Sequence, residues 1–155
     1  MKDDYLDNLG RKEAEDLRDR HNAGNLTVEE ARDELAHVWS IAARPGGLLT
    51  PSEWRALWLY AGHIHLYLDS DGSVKWKETE RPTHPVRLYR RAYAAFRFSP
   101  SWTEDEALAK IWPGGDTVWT AEFPPERLLA TANIKPSAET EYIAFAEELH
   151  LDIHP

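Results

Sequence analysis

Two Thr-x-x-Glu boxes, Thr27-Val28-Glu29-Glu30 and Thr50-Pro51-Ser52-Glu53, set the character of the first part of this chain. In such a box the threonine hydroxyl accepts from the amide three residues on. The glutamate reaches back to the threonine amide, so two orphan donors at a helix start are satisfied together. After the first box, Ala31, Leu35, Val38 and Ala42 recur at helical spacing. After the second, Pro51 takes the favoured first helical position, and Trp54, Leu57, Trp58 and Ala61 form one apolar face before Gly62, a fitting stop. Arg44-Pro45-Gly46-Gly47 separates the two helices. An acidic, less sharply patterned helix over about 5 to 22 precedes them and ends at Asn22-Ala23-Gly24-Asn25. Residues 1 to about 62 thus read as helical.

The pattern changes after Gly62. Ile64, Leu66 and Leu68 alternate with His65 and Tyr67, Asp69-Ser70-Asp71-Gly72 supplies turn residues, and Val74 and Trp76 alternate with lysines, which predicts a hairpin. Val86 to Arg91, Thr117 to Phe123 and Thr140 to Phe145 read as strands, with Trp119 and Phe123 as packing residues. Glu104 to Ile111 reads as a short helix stopped by Pro113-Gly114-Gly115, and Pro124-Pro125-Glu126-Arg127 as a turn. Helices first and strands later predict an α+β fold, not a parallel doubly wound sheet. At 155 residues the expectation is a single domain over 1–155, with a helical part at 1–62 and a mainly β core at 63–155.

Seven Trp, six Tyr and four Phe provide the bulk for a sizeable core. No apolar run approaches the roughly 18 residues of a membrane span, and the acidic start Met1-Lys2-Asp3-Asp4-Tyr5 is not the basic, apolar pattern of a secretory signal. The chain has no cysteine, which excludes disulfides and thiolate metal sites and fits a cytoplasmic protein. A net charge of −9 argues against binding nucleic acid. Arg87, Arg90, Arg91 and Arg97 nevertheless cluster locally, which suits a small anionic ligand.

Three stretches carry the chemistry: Leu88-Tyr89-Arg90, Ser101-Trp102-Thr103 and Ala138-Glu139-Thr140-Glu141-Tyr142. They supply, in order, a guanidinium fork suited to oxyanions, a hydroxyl pair and an E-x-E carboxylate pair. On a strand, Glu139 and Glu141 would share a face. Thr103-Glu104-Asp105-Glu106 is also a capping box, which by itself accounts for Thr103, and an aromatic such as Trp102 beside a helix start is equally a packing residue.

In this order the three stretches resemble the arginine-serine-glutamate class of ADP-ribosyltransferases, in particular small phage and actinobacterial mono-ADP-ribosyltransferases. The pieces Pro85-Val86-Arg87-Leu88-Tyr89-Arg90-Arg91-Ala92, Ser101-Trp102-Thr103, the strand through Val118-Trp119-Thr120 and Ala138 to Ile143 follow one another as in that family, over somewhat more than a third of the chain. The resemblance implies helices packed beside a core of two antiparallel-rich sheets. It implies NAD as substrate and a protein acceptor, with arginine the leading acceptor residue. It makes Glu141 and Glu139 the catalytic pair, one opposing the ribose cation and one serving the acceptor. It makes Arg90, Ser101, Trp102, Tyr89 and Thr103 the NAD-binding set, with Ser101 fixing the Glu141 rotamer. Arg91 is a departure, since glycine is expected after the motif arginine. Arg90, not a histidine, stands first, which selects the arginine branch; His84 lies outside the matching position.

Two other readings stand beside this one. The first is a non-catalytic acidic interaction or inhibitor protein on the same scaffold, which the charge and Arg91 favour. The second concerns metals: His63 and His65 alternate on one predicted strand face, but no third ligand accompanies them. His150 and His154 are four apart at the chain end, and Asp69-Ser70-Asp71-Gly72 lacks the remaining ligands of a calcium loop. No metal is therefore expected.

Overall fold

The computed structural model of the protein describes residues 2–134, 139–147 and 151–155; Ala138 and His150 lie outside them. The fold is mixed α and β. Helices α1 (Lys2–Asn8), α2 (Arg11–Asn22), α3 (Val28–Ile41) and α4 (Pro51–Ala61) come first. Strands β1 (Ile64–Leu68), β2 (Val74–Glu78) and β3 (Val86–Ala92) follow. Next come β4 (Ser101–Trp102), helix α5 (Glu106–Ile111), β5 (Thr117–Phe123), β6 (Leu128–Asn133) and β7 (Glu141–Ala144).

Both capping boxes close as the sequence predicts. Thr27 accepts from Glu30 and Thr50 from Glu53 at the helix starts, each with the reciprocal glutamate bond. The apolar faces they launch are buried: Ala31, Leu35 and Val38 on α3, and Trp54, Leu57, Trp58 and Ala61 on α4. Gly62 ends α4 at φ 81, a left-handed value that glycine adopts without a Cβ clash. The expected helix over 5 to 22 is instead two helices. Gly10, at φ 85, breaks the chain between them and its carbonyl accepts from Ala14.

The larger sheet has the order β2-β1-β6-β7-β4, and β3 and β5 form a second, antiparallel sheet. Within the larger sheet β1 and β6 run parallel, while the other pairs are antiparallel. A backbone bridge between Tyr89 and Thr103 joins β3 to the end of β4, so the two sheets meet beside Ser101.

One core fills the space between the α2–α4 layer and the larger sheet, taking Leu17, Leu35, Trp54, Trp58, Leu66 and Ile143. Leu88, Trp102, Ala121, Phe123 and Leu128 build a second core, with Trp119 packed against it. The helical part and the β part therefore share buried surface.

β6, unforeseen in the sequence, is the central strand. Its Leu128, Leu129 and Ala130 are buried in succession, so the alternation that marks a half-buried strand is confined to residues 130–133. A register shift against β7 between Leu128 and Ala130 sends Leu128 to the second core while Leu129 and Ala130 join the first. Helix α5 starts later than expected, because Asp105 is its N-cap and accepts from Leu108. The Thr103 capping box does not form: Thr103 accepts from Asp105 N, and its side chain is buried.

Gly115 approaches β3 closely. A Cβ there would lie 2.4 Å from Ala92 Cα and 2.5 Å from Ala92 N, backbone atoms that cannot swing aside. Gly115→Ala is expected to destabilise the fold by about 1–3 kcal/mol, seen as a lower thermal midpoint. An unchanged midpoint would contradict this packing.

Candidate active site

Arg90, Ser101, Thr103, Glu139 and Glu141, up to 51 positions apart in sequence, line one cleft of about 1090 Å³. Its other walls come from β3 and the following turn (Ala92, Tyr93, Phe96), from Leu108 and Trp112, and from the Arg44–Gly47 segment of the helical part.

Strand register explains the convergence. In the β4–β7 pair Ser101 lies opposite Ile143 and Trp102 opposite Tyr142. Alternation then puts Ser101 and Thr103 on the face of Glu141 and Ile143, so Ser101 and Glu141 are diagonal neighbours. Ser101 Oγ donates to Glu141 Oε2. The indole Nε1 of Trp39, from α3, donates to the same oxygen at 3.2 Å. Among the described residues Oε1 has no hydrogen-bond donor.

The same alternation corrects one expected ligand contact. Trp102 points to the opposite face, where it is fully buried against Phe123 with ring centroids 4.8 Å apart, and its Nε1 donates to Ser99 O at 2.8 Å. It does not line the cleft. Tyr89 lies outside the lining as well; its neighbours Arg90 and Arg91 both reach the cleft, so strand alternation is not the reason.

Arg90 braces the site from β3. Its Nε donates to Phe96 O at 3.1 Å and its NH1 to Ser101 O at 2.8 Å, which fixes the backbone that carries the Ser101 hydroxyl. These bonds use two of the five guanidinium donors. Burial lowers its pKa to about 10, against the attraction of Glu141, so it stays cationic at neutral pH.

Arg91 accounts for itself structurally. Its Nε donates to Gly115 O at 2.8 Å and its NH1 to Lys110 O at 2.5 Å, in the last turn of α5. Carbonyls there lack helical partners and favour a cation. The residue standing where glycine is expected thus ties β3 to α5 while lining the cleft.

The other arginines of the basic cluster have partners elsewhere. Arg87 faces Glu122 across β3–β5 at 3.5 Å. Arg97 donates to Ala94 O and stacks over Phe98 at 4.2 Å.

The two glutamates differ in setting. Glu141 is the first residue of β7 and partly buried; Glu139 lies before the strand and is exposed. Strand alternation therefore does not carry Glu139, which reaches the cleft from the segment leading into β7.

His63 and His65 have hydroxyl partners, Thr79 at 2.9 Å and Thr131 at 2.7 Å. Burial lowers both pKa values first, with added repulsion from Arg81 and Lys77 respectively. Trp39 is a neighbour of Glu141 that the sequence did not reveal. Its helical spacing marks it only as core, and nothing local points to a partner 102 positions away.

A search of known protein families, curated proteins and solved structures found no match to this chain.

Proposed function

We propose that the protein is an NAD-dependent mono-ADP-ribosyltransferase that modifies a protein acceptor, on arginine, with NAD hydrolysis as a side activity. The observation that carries the reading is the bond of Ser101 Oγ to Glu141 Oε2 at the wall of a cleft that Arg90 also lines. A carboxylate locked in one rotamer is preorganised to oppose the charge that develops on ribose as the glycosidic bond breaks.

In this reaction the dinucleotide occupies the cleft and the remaining Arg90 donors face its phosphate or ribose oxygens. The bond from the anomeric carbon to the nicotinamide nitrogen breaks, and its electron pair returns to the pyridinium ring. Glu141 stabilises the ribosyl cation and accepts from a ribose hydroxyl through Oε1. An acceptor guanidine nitrogen, or water in hydrolysis, then bonds to the anomeric carbon and gives up a proton. Exposed Glu139 is placed to take that proton from an incoming acceptor. The helical layer supplies one wall through Arg44–Gly47 and so shapes acceptor access.

Incubation with labelled NAD and a protein mixture, followed by mapping of the label, tests the reading. Label on protein arginine supports it; NAD consumed without protein label would leave a glycohydrolase instead. Glu139→Gln is expected to lower transfer while nicotinamide release largely persists, because water needs less orientation than a side chain. Equal loss of both would remove the acceptor role of Glu139.

The competing reading, a non-catalytic acidic binder, draws on the −9 charge. It predicts no NAD consumption with or without added proteins.

A further inference from the structure

The N-terminal helices reach the site through one side chain. Trp39 stands near the end of α3 and is 3% exposed. Trp54 and Trp58 of α4 hold its ring edge-on, with centroids 5.0 and 5.2 Å away and interplanar angles of 80° and 84°. Its one polar atom, Nε1, donates to Glu141 Oε2.

We propose that Trp39 is a positioning residue for Glu141: its clamped indole N–H and the Ser101 hydroxyl together hold Oε2, which leaves Oε1 for the ligand. Two donors from different elements, one on β4 and one on α3, stop the carboxylate from rotating about its last torsion. A bond to a charged acceptor is stronger than one to a carbonyl. The rigid ring behind it costs little entropy to order, because packing has already fixed it.

Packing alone does not account for this contact. Trp58 lies in the same aromatic cluster, and among the described residues its Nε1 has no hydrogen-bond partner. The cluster thus tolerates an indole without a bond, so the Trp39 bond is a separate feature. Trp58 also provides the reference indole for the spectrum.

The kinetic half of the test rests on the NAD-cleaving reading; the spectroscopic half does not. In a 15N–1H spectrum of the tryptophan indoles, the signal lost in Trp39→Phe identifies Trp39. That signal is expected to move in Glu141→Gln, while the Trp58 signal, identified by Trp58→Phe, stays in place. An unmoved Trp39 signal would overturn the proposal whether or not the protein consumes NAD.

In kinetics, Trp39→Phe removes the donor and keeps most of the ring. It is expected to lower kcat for nicotinamide release by about 10- to 100-fold, with KM for NAD little changed. Trp76→Phe, which removes an indole donor to Asp33 outside the cleft, is expected to leave kcat near the wild-type value. Equal kcat losses in Trp39→Phe and Trp76→Phe would show that the effect is not specific to the Glu141 contact and would overturn the proposal. If the wild type releases no nicotinamide, the enzyme reading fails, and the indole spectrum alone decides whether Trp39 holds Glu141.

Discussion

Glu141→Gln is expected to lower both nicotinamide release and protein labelling by about 10²- to 10³-fold, roughly 3 to 4 kcal/mol of transition-state stabilisation. The substitution is nearly isosteric. A glutamine can still present an oxygen to Ser101 Oγ and Trp39 Nε1, so the local shape persists. What disappears is the negative charge opposite the ribosyl cation. Glu141 sits at the edge of the cleft at the start of β7, outside both apolar cores, so the thermal midpoint should barely change. Nicotinamide release, acceptor labelling and thermal unfolding on the same preparation separate the effects. Undiminished labelling would end the catalytic assignment; loss of activity together with a lower midpoint would mark Glu141 as structural.

Trp102→Ala has the largest expected effect on stability, a loss of about 3–5 kcal/mol. The ring is fully buried, packs edge-on against Phe123 and anchors a strand only two residues long. Truncation leaves a cavity in the second core and Ser99 O without its indole donor. Urea denaturation should show a lower midpoint with a similar slope. Where the variant remains folded, KM for NAD should match the wild type. A raised KM with unchanged stability would restore Trp102 to the ligand pocket.

The helical part was legible because its signals are local. A capping box and its apolar face lie within one or two turns, so Thr50, Glu53, Trp54 and Trp58 could be read without knowing what they pack against. The hairpin and the β3 and β5 strands were legible through alternation. β6 was not: Leu128, Leu129 and Ala130 are buried in succession across a register shift, which interrupts the alternation, and alanine is a weak strand former. Gly10 carries a left-handed φ that helical periodicity does not reveal.

For the site, residue types were readable but orientation was not. Trp102 and Ser101 are adjacent in the chain, and only the β4–β7 register decides which of them faces Glu141. Thr103 has the sequence of a capping residue, yet the bridge to Tyr89 buries it and Asp105 caps α5 instead. The Trp39 contact is invisible to any local pattern, since it arises from how α3 lies across the sheet. Among the described residues no helix is long and apolar enough to cross a membrane.

Nicotinamide release from NAD by the purified chain tests the central claim most directly. The account predicts time-dependent release by the wild type, lowered by about 10²-fold or more in Glu141→Gln at unchanged stability. No release above the uncatalysed rate, with and without an added protein mixture, would contradict it.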